Sequence, residues 1–135
     1  MPNIAPALIN MNRATLKIGT DNYEKSVSTA RGVPTSPIGK FKGIGGNTSK
    51  VAGVADWLLN LTYAQDWKTE NSLSQYALAN HGLTKVVELV PETGGGTFTV
   101  TVLVVAGDFG GDADTTTTAS VAWEIIDQPA YVAAA

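Results

Sequence analysis

The feature that most constrains this chain is a set of long alternating segments, interrupted by one short helical pattern, between Asp56 and Pro129. Trp57, Leu59, Leu61 and Tyr63 occupy every second position, the period at which strand side chains share a face. Thr84–Val90, Thr97–Ala106 and Thr118–Ile126 read as further strands, the last ending against Gln128-Pro129. Phe98, Val100, Val102, Val104 and Ala106 form one face, opposite Thr97, Thr99 and Thr101. Val121, Trp123 and Ile125 point inward in the last strand, with Glu124 turned away. Burying one such large side chain contributes roughly 1.5–3 kcal/mol, so these sets define the expected core. Gly94-Gly95-Gly96 supplies a hairpin connection.

The interruption runs from about Ser72 to His81. Ser72 and Gln75 match a capping box, in which each side chain satisfies a free N–H at the helix start. Leu73, Tyr76, Ala77 and Asn80 follow the helical spacing, and Gly82 offers a left-handed stop. A helix this short is marginal alone and must dock on the sheets.

The first third is less regular. Residues 1–13 carry two prolines and scattered apolar residues, which predicts an irregular arm. Leu16 and Ile18, a turn at Thr20-Asp21-Asn22, and alternation through Tyr23, Lys25, Val27 and Thr29 predict a hairpin. Arg31–Gly53 is interrupted by Pro34, Pro37 and several glycines, so it reads as a long loop in which Ile38, Phe41 and Ile44 are the apolar anchors of a strand. With about seven strands and one flanking helix, the expected fold is mainly β, a β-sandwich or partly closed barrel. It forms one domain over 1–135, with an N-terminal arm (1–13), a long loop (31–53) and a C-terminal arm (128–135). There is no internal repeat.

Composition narrows the chemistry. The chain has 135 residues, no Cys and one His, which excludes thiol nucleophiles, disulfides and clusters of His or Cys around a metal. Met1 to Pro6 lack the basic and apolar regions of a secretory signal, and no apolar run approaches the ~20 residues that span a bilayer. Asn47-Thr48-Ser49 and Asn60-Leu61-Thr62 match the glycosylation acceptor pattern, which without a signal reads as accidental. The net charge of −3 conceals an asymmetry: residues 1–50 hold seven Lys/Arg against two acids, residues 51–135 two Lys against ten acids. The cations lack the aromatic interleaving of a nucleic-acid site. Head-to-tail self-association, basic surface on acidic surface, is one reading, and an unevenly charged ordinary surface is the other.

Each catalytic candidate has a plainer explanation. His81 sits at the helix C-terminus, where a cation complements the helix dipole, and no orienting acid or oxyanion donor accompanies it. Gly43-Ile44-Gly45-Gly46-Asn47 has neither the third glycine of a dinucleotide loop nor a Walker lysine. Asp108, Asp112 and Asp114 outline a calcium loop, but the EF-hand glycine and glutamate positions are Thr117 and Trp123. The plainer reading is an acidic, solvated turn, with adventitious Ca²⁺ as the alternative. Glu24, Asp56, Glu88 and Glu124 fall in expected strands, at positions that face away from the core. A glycosidase pair would need two such acids across a cleft, and nothing else marks one.

In order along the chain stand Ala14-Thr-Leu-Lys-Ile-Gly19, Asp56-Trp-Leu-Leu-Asn-Leu-Thr-Tyr-Ala-Gln-Asp-Trp67, Asn71-Ser-Leu-Ser-Gln-Tyr76 with Asn80-His-Gly82, Thr97-Phe-Thr-Val-Thr-Val102 with Phe109-Gly-Gly-Asp112, and Ala119-Ser-Val-Ala-Trp-Glu-Ile125 running to Gln128-Pro129. This ordered set, from about residue 14 to residue 131, resembles the tail tube (major tail) proteins of long-tailed, non-contractile bacteriophages. Each word alone is weak; the order is what is specific. The resemblance implies a non-enzymatic virion protein without cofactors, assembled from host cytoplasm into hexameric rings that stack as a tube. Its partners would be other copies of itself and the tape-measure, terminator and initiator proteins of the tail, with no membrane involved. Genomic DNA would pass through the lumen without specific binding, repelled by acids, and Glu24, Asp56, Glu88 and Glu124 are the expected lumen positions. The loop 31–53, with Ile38, Phe41 and Ile44, and the terminal arms would reach the adjacent ring. The finish at Ile126-Asp127-Gln128-Pro129 and the alanine tail departs from the family's more polar, glycine-containing turn. A monomeric β-sandwich binding module, for capsid decoration or host-surface binding, is the alternative from another class, with function carried by loops at one end.

Overall fold

The computed structural model describes residues 3–133, so the outermost residues of both expected arms lie outside the described residues. The elements are β1 (Thr15–Ile18), β2 (Asp21–Asn22), β3 (Val27–Thr35), β4 (Ile38–Lys42), β5 (Thr48–Ala52), β6 (Asp56–Ala64), α1 (Leu73–Ala79), β7 (Thr84–Val90), β8 (Thr97–Leu103), β9 (Thr118–Ile125) and β10 (Ala130–Val132). The main sheet runs β2-β1-β7-β8-β9-β6-β3, all antiparallel, with β10 added beside β8.

This sheet is bent double. β8 and β9 are joined through Val102 opposite Ile125, whereas β6 and β9 pair along their whole length. The two halves therefore face each other across one core. Leu16, Ile18, Val87, Val100 and Val102 come from one half, and Leu59, Leu61, Tyr63, Trp123 and Ile125 from the other. The strands β2 and β3 end the sheet without pairing to each other, so the sandwich does not close into a barrel. The alternation read from the sequence holds: Leu59, Leu61, Tyr63, Val100, Val102, Trp123 and Ile125 are buried, and Glu124 is exposed.

The helix closes one end of the sandwich. Leu73 and Ala77 reach the core, Tyr76 packs on Tyr23 with ring centroids 5.8 Å apart, and the Gly82 N–H donates to the Val104 carbonyl at 2.8 Å. The capping box is only half made. Ser72 Oγ accepts from the Gln75 N–H at 3.4 Å, but the Gln75 side chain donates to the Trp67 carbonyl at 2.8 Å instead of returning to Ser72. Asp66, in the preceding turn, accepts from the Lys68 and Thr69 N–H groups at 3.0 Å each. Hydrogen bonds from Thr69 and Lys68 hold its carboxyl below the usual value. Gly82 has φ +85°, as its expected role as a stop requires.

Two sequence expectations fail in the first third. The hairpin from Leu16 to Thr29 does not form: β1 turns back only through the two residues of β2, and Tyr23–Ser26 make a turn. Val27 onward belongs to β3, which pairs with β6 on the other half of the sheet, with a bulge between Val27 and Thr29. The region 31–53 is more regular than the expected long loop: the strand expected at Ile38 and Phe41 is present, with Ile44 in the turn after it. Strand β3 continues to Thr35, and β4 and β5 form a separate antiparallel hairpin that projects beyond the β3–β6 ladder. Pro34 is accommodated because β3 is an edge strand, where a missing N–H costs no ladder bond.

Candidate assembly surfaces

The outward face of β6 and β9 carries small polar residues and two acids, with Leu58 and Ala122 among them. Register places Glu124 opposite Leu58, Ala122 opposite Asn60 and Ser120 opposite Thr62, with Asp56 at the end of β6. The Thr62 and Ser120 hydroxyls bond at 3.0 Å, so part of the face satisfies itself. Arg31 on β3 lies opposite Asn60. Asp56 and Glu124 thus share this face one register step apart, both exposed.

The other two acids are elsewhere. Glu88 points outward from the opposite half-sheet, where Lys17 stands directly across from it on β1. Opposite charges at such a pair stabilise the sheet modestly. Glu24 is not in a strand: it lies in the Tyr23–Ser26 turn, partly buried, with Oε2 enclosed and without a hydrogen-bond partner. It borders a crevice of about 300 Å³ at the open side of the sandwich, shared with Arg31, Ser28 and Asn12. The strand reading failed here because Tyr23 and Val27 alternate by position while the backbone between them turns.

The hairpin carries Ile38, Phe41 and Ile44 as expected apolar side chains, and all three are exposed, Ile44 completely. Lys40 stands directly opposite Lys50, with Lys42 opposite Thr48 on the same face; Phe41 lies on the reverse, opposite Ser49. Beneath the hairpin, at the end of the sandwich opposite α1, Trp57, Phe98, Leu89, Ile125 and Pro129 line an apolar cavity of about 240 Å³. The Trp57 indole N–H is enclosed there without a partner.

At the far end of β6, Gln65 organises the connection from β8 to β9, a role the sequence gave no reason to expect. Its side-chain N–H group donates to the Gly110 and Thr118 carbonyls at 3.0 and 2.9 Å, and its oxygen accepts from the Gly110 N–H at 3.0 Å. The connection carries Asp108, Asp112 and Asp114, which do not gather into a metal-binding group; among the described residues no such group of three exists. His81 is equally ordinary. Its Nδ1 accepts from the Ala106 N–H at 3.0 Å, which ties the helix end to the start of the β8–β9 connection; the strand expected to reach Ala106 ends at Leu103. Among the described residues no helix is long and apolar enough to cross a membrane.

No protein-family model matches this sequence, and no curated protein matches it by sequence. Solved structures do match in fold. The sheath/tube terminator of an extracellular contractile injection system, PVC, in its extended state aligns with 96% of this chain and 100% of its own, at TM-score 0.67 and 12% identity. A chain of the PVC sheath–tube complex aligns over 93% and 92%, at TM-score 0.64 and 14% identity. The tube-terminating cap of the anti-feeding prophage aligns over 99% and 97%, at TM-score 0.65 and 11% identity. The chain therefore has the tail-tube-like fold of these injection-system components, a β-sandwich with one helix. The matched systems named as contractile stand apart from the non-contractile tails to which the sequence words pointed.

Proposed function

We propose that this chain is a structural, non-enzymatic subunit that polymerises as stacked hexameric rings into a phage tail tube. The fold shared over nearly the whole chain with tube and tube-terminator components carries this reading. The free edge of β3 supports it, since an unpaired nine-residue edge is a template for a strand of the next subunit. Sheets joined in that way around a ring would turn the Asp56–Glu124 face to a channel. Carboxylates there repel phosphate and let DNA slide through during ejection. Glu88, paired across from Lys17, and Glu24, sunk in its crevice, take no part in that lining. The tail belongs to a long-tailed, non-contractile phage in this reading, and the particle assembles in the host cytoplasm.

A second reading is favoured by one observation: two of the three matched structures described above are a terminator and a cap. In that case the chain forms one ring that closes a tube rather than building it. Negative-stain microscopy of the concentrated protein, beside a sizing column, separates the cases. Hollow tubes of uniform diameter and unlimited length support the tube subunit, and single rings that never stack support the terminator. A persistent monomer, alone and with tail initiator present, contradicts both and favours the monomeric binding module.

A further inference from the structure

We infer that β10 is a removable strap: closed, it caps an edge of β8 within its own chain, and open, it yields that edge to a strand of a second copy. Self-assembly is held back until the strap leaves. This rests on the reading above that copies of the chain polymerise.

One side of β8 is paired with β7 from Phe98 to Leu103. On the other side β9 reaches β8 only at Val102, with the Ile126 N–H donating to the Thr101 carbonyl at 2.8 Å. The remainder of that edge, Thr97 to Thr99, is taken by β10. Without β10 it would present unpaired N–H and C=O groups, a template for another chain. Each copy also ends its sheet on the nine-residue β3, a strand in want of a partner.

The strap is lightly held. All three residues of β10 are exposed, and β10 pairs with β8 alone. Its anchor is Tyr131, whose ring lies on Phe98 with centroids 4.9 Å apart and against Gly96, where a methyl group would overlap it. Unfilled space flanks the strap on both sides. Pro129, just before β10, borders the apolar cavity beside Trp57, and Tyr131 borders a second crevice of about 310 Å³ with Ile9 and Pro91. Sparse packing and exposed backbone bonds mark a segment that opens well below the global unfolding free energy. Closure also leaves the Trp57 N–H enclosed without a partner, a cost that the departure of Pro129 would relieve by admitting water.

A lock and a release test this on the full chain, which has no cysteine of its own. Thr99→Cys/Ala130→Cys joins directly opposed residues, a spacing that a disulfide spans. The oxidised protein is expected to stay monomeric, by sizing column and negative-stain microscopy, where the parent assembles, and to assemble once dithiothreitol is added. Gly96→Ala and, from the strap side, Tyr131→Ala are expected to assemble sooner than the parent, with the parent's circular dichroism and melting transition. In both, amide exchange at residues 130–132 should quicken about tenfold or more while the centre of β9 stays protected. Locked protein that assembles at the parent's rate overturns the strap and leaves the tube reading intact. So does parent exchange at 130–132 as slow as at the centre of β9. Release variants whose strap exchanges freely but which, like the parent, never assemble overturn both.

Discussion

Trp123 links β9 to the segment that follows β8. It is fully buried in the centre of β9, and its indole N–H donates to the Val105 carbonyl at 2.9 Å, beyond the corner where β8 meets β9. Trp123→Phe removes that bond, orphans a carbonyl and leaves a void. The expected cost is about 2–4 kcal/mol, read as a lower urea midpoint at unchanged slope. Tyr23 makes a second residue-scale prediction. Its hydroxyl donates to the Asn71 carbonyl at 3.0 Å, and burial, with the Asp21 charge adding to it, pushes its pKa from 10.0 up to about 12. A raised folded-state pKa favours the protonated form, so this contribution is complete below pH 10 and is lost as pH rises toward 12. Burial raises Tyr63 and Tyr76 in the same direction, so Tyr23→Phe should flatten the alkaline fall in unfolding free energy without abolishing it. Trp123 and Tyr63 were legible from alternation alone, because a two-residue period with one apolar face has few other solutions. Glu24 was not, since its neighbours keep that period through a turn.

At the scale of elements, the helix was the most readable segment and its boundaries the least. Ser72 and Gly82 act as expected, yet α1 ends at Ala79, and Gln75 serves Trp67 rather than the cap. Ser72→Ala should therefore cost about 1 kcal/mol in thermal or urea unfolding, and Gln75→Ala less, because only the serine satisfies a helix-start N–H. Of the β4–β5 hairpin only the first strand was legible, at Ile38 and Phe41, its partner β5 being hidden among glycines. Proline at an edge strand and glycine at a hairpin tip are both permitted, so the signals that predict a loop also fit a projecting hairpin. Since its apolar side chains are exposed and absent from the core, shortening Ile38–Ala52 to a tight turn should leave the melting transition of the monomer within about 1 kcal/mol of the parent while abolishing stacking.

For the whole molecule, sequence order and alternation carried the fold class, whereas sheet topology stayed out of reach. Which half of the sandwich receives β3 depends on pairing between residues as far as 36 positions apart, Val27 with Tyr63, and local periodicity contains no such information. The uneven charge was legible as a total but not as geometry. The structure resolves it into a basic hairpin at one end, an acidic connection at the other, and Asp56 with Glu124 on a polar face between them. Under the proposed tube reading, that distribution suits copies that bind one another above and below while leaving a channel unattractive to phosphate. A reconstruction of the assembled particle by cryo-electron microscopy tests this most directly. The account predicts a hollow, six-fold tube with Asp56 and Glu124 lining the lumen. A tube lined instead by the Lys17–Glu88 face, or a particle with no channel, would contradict it.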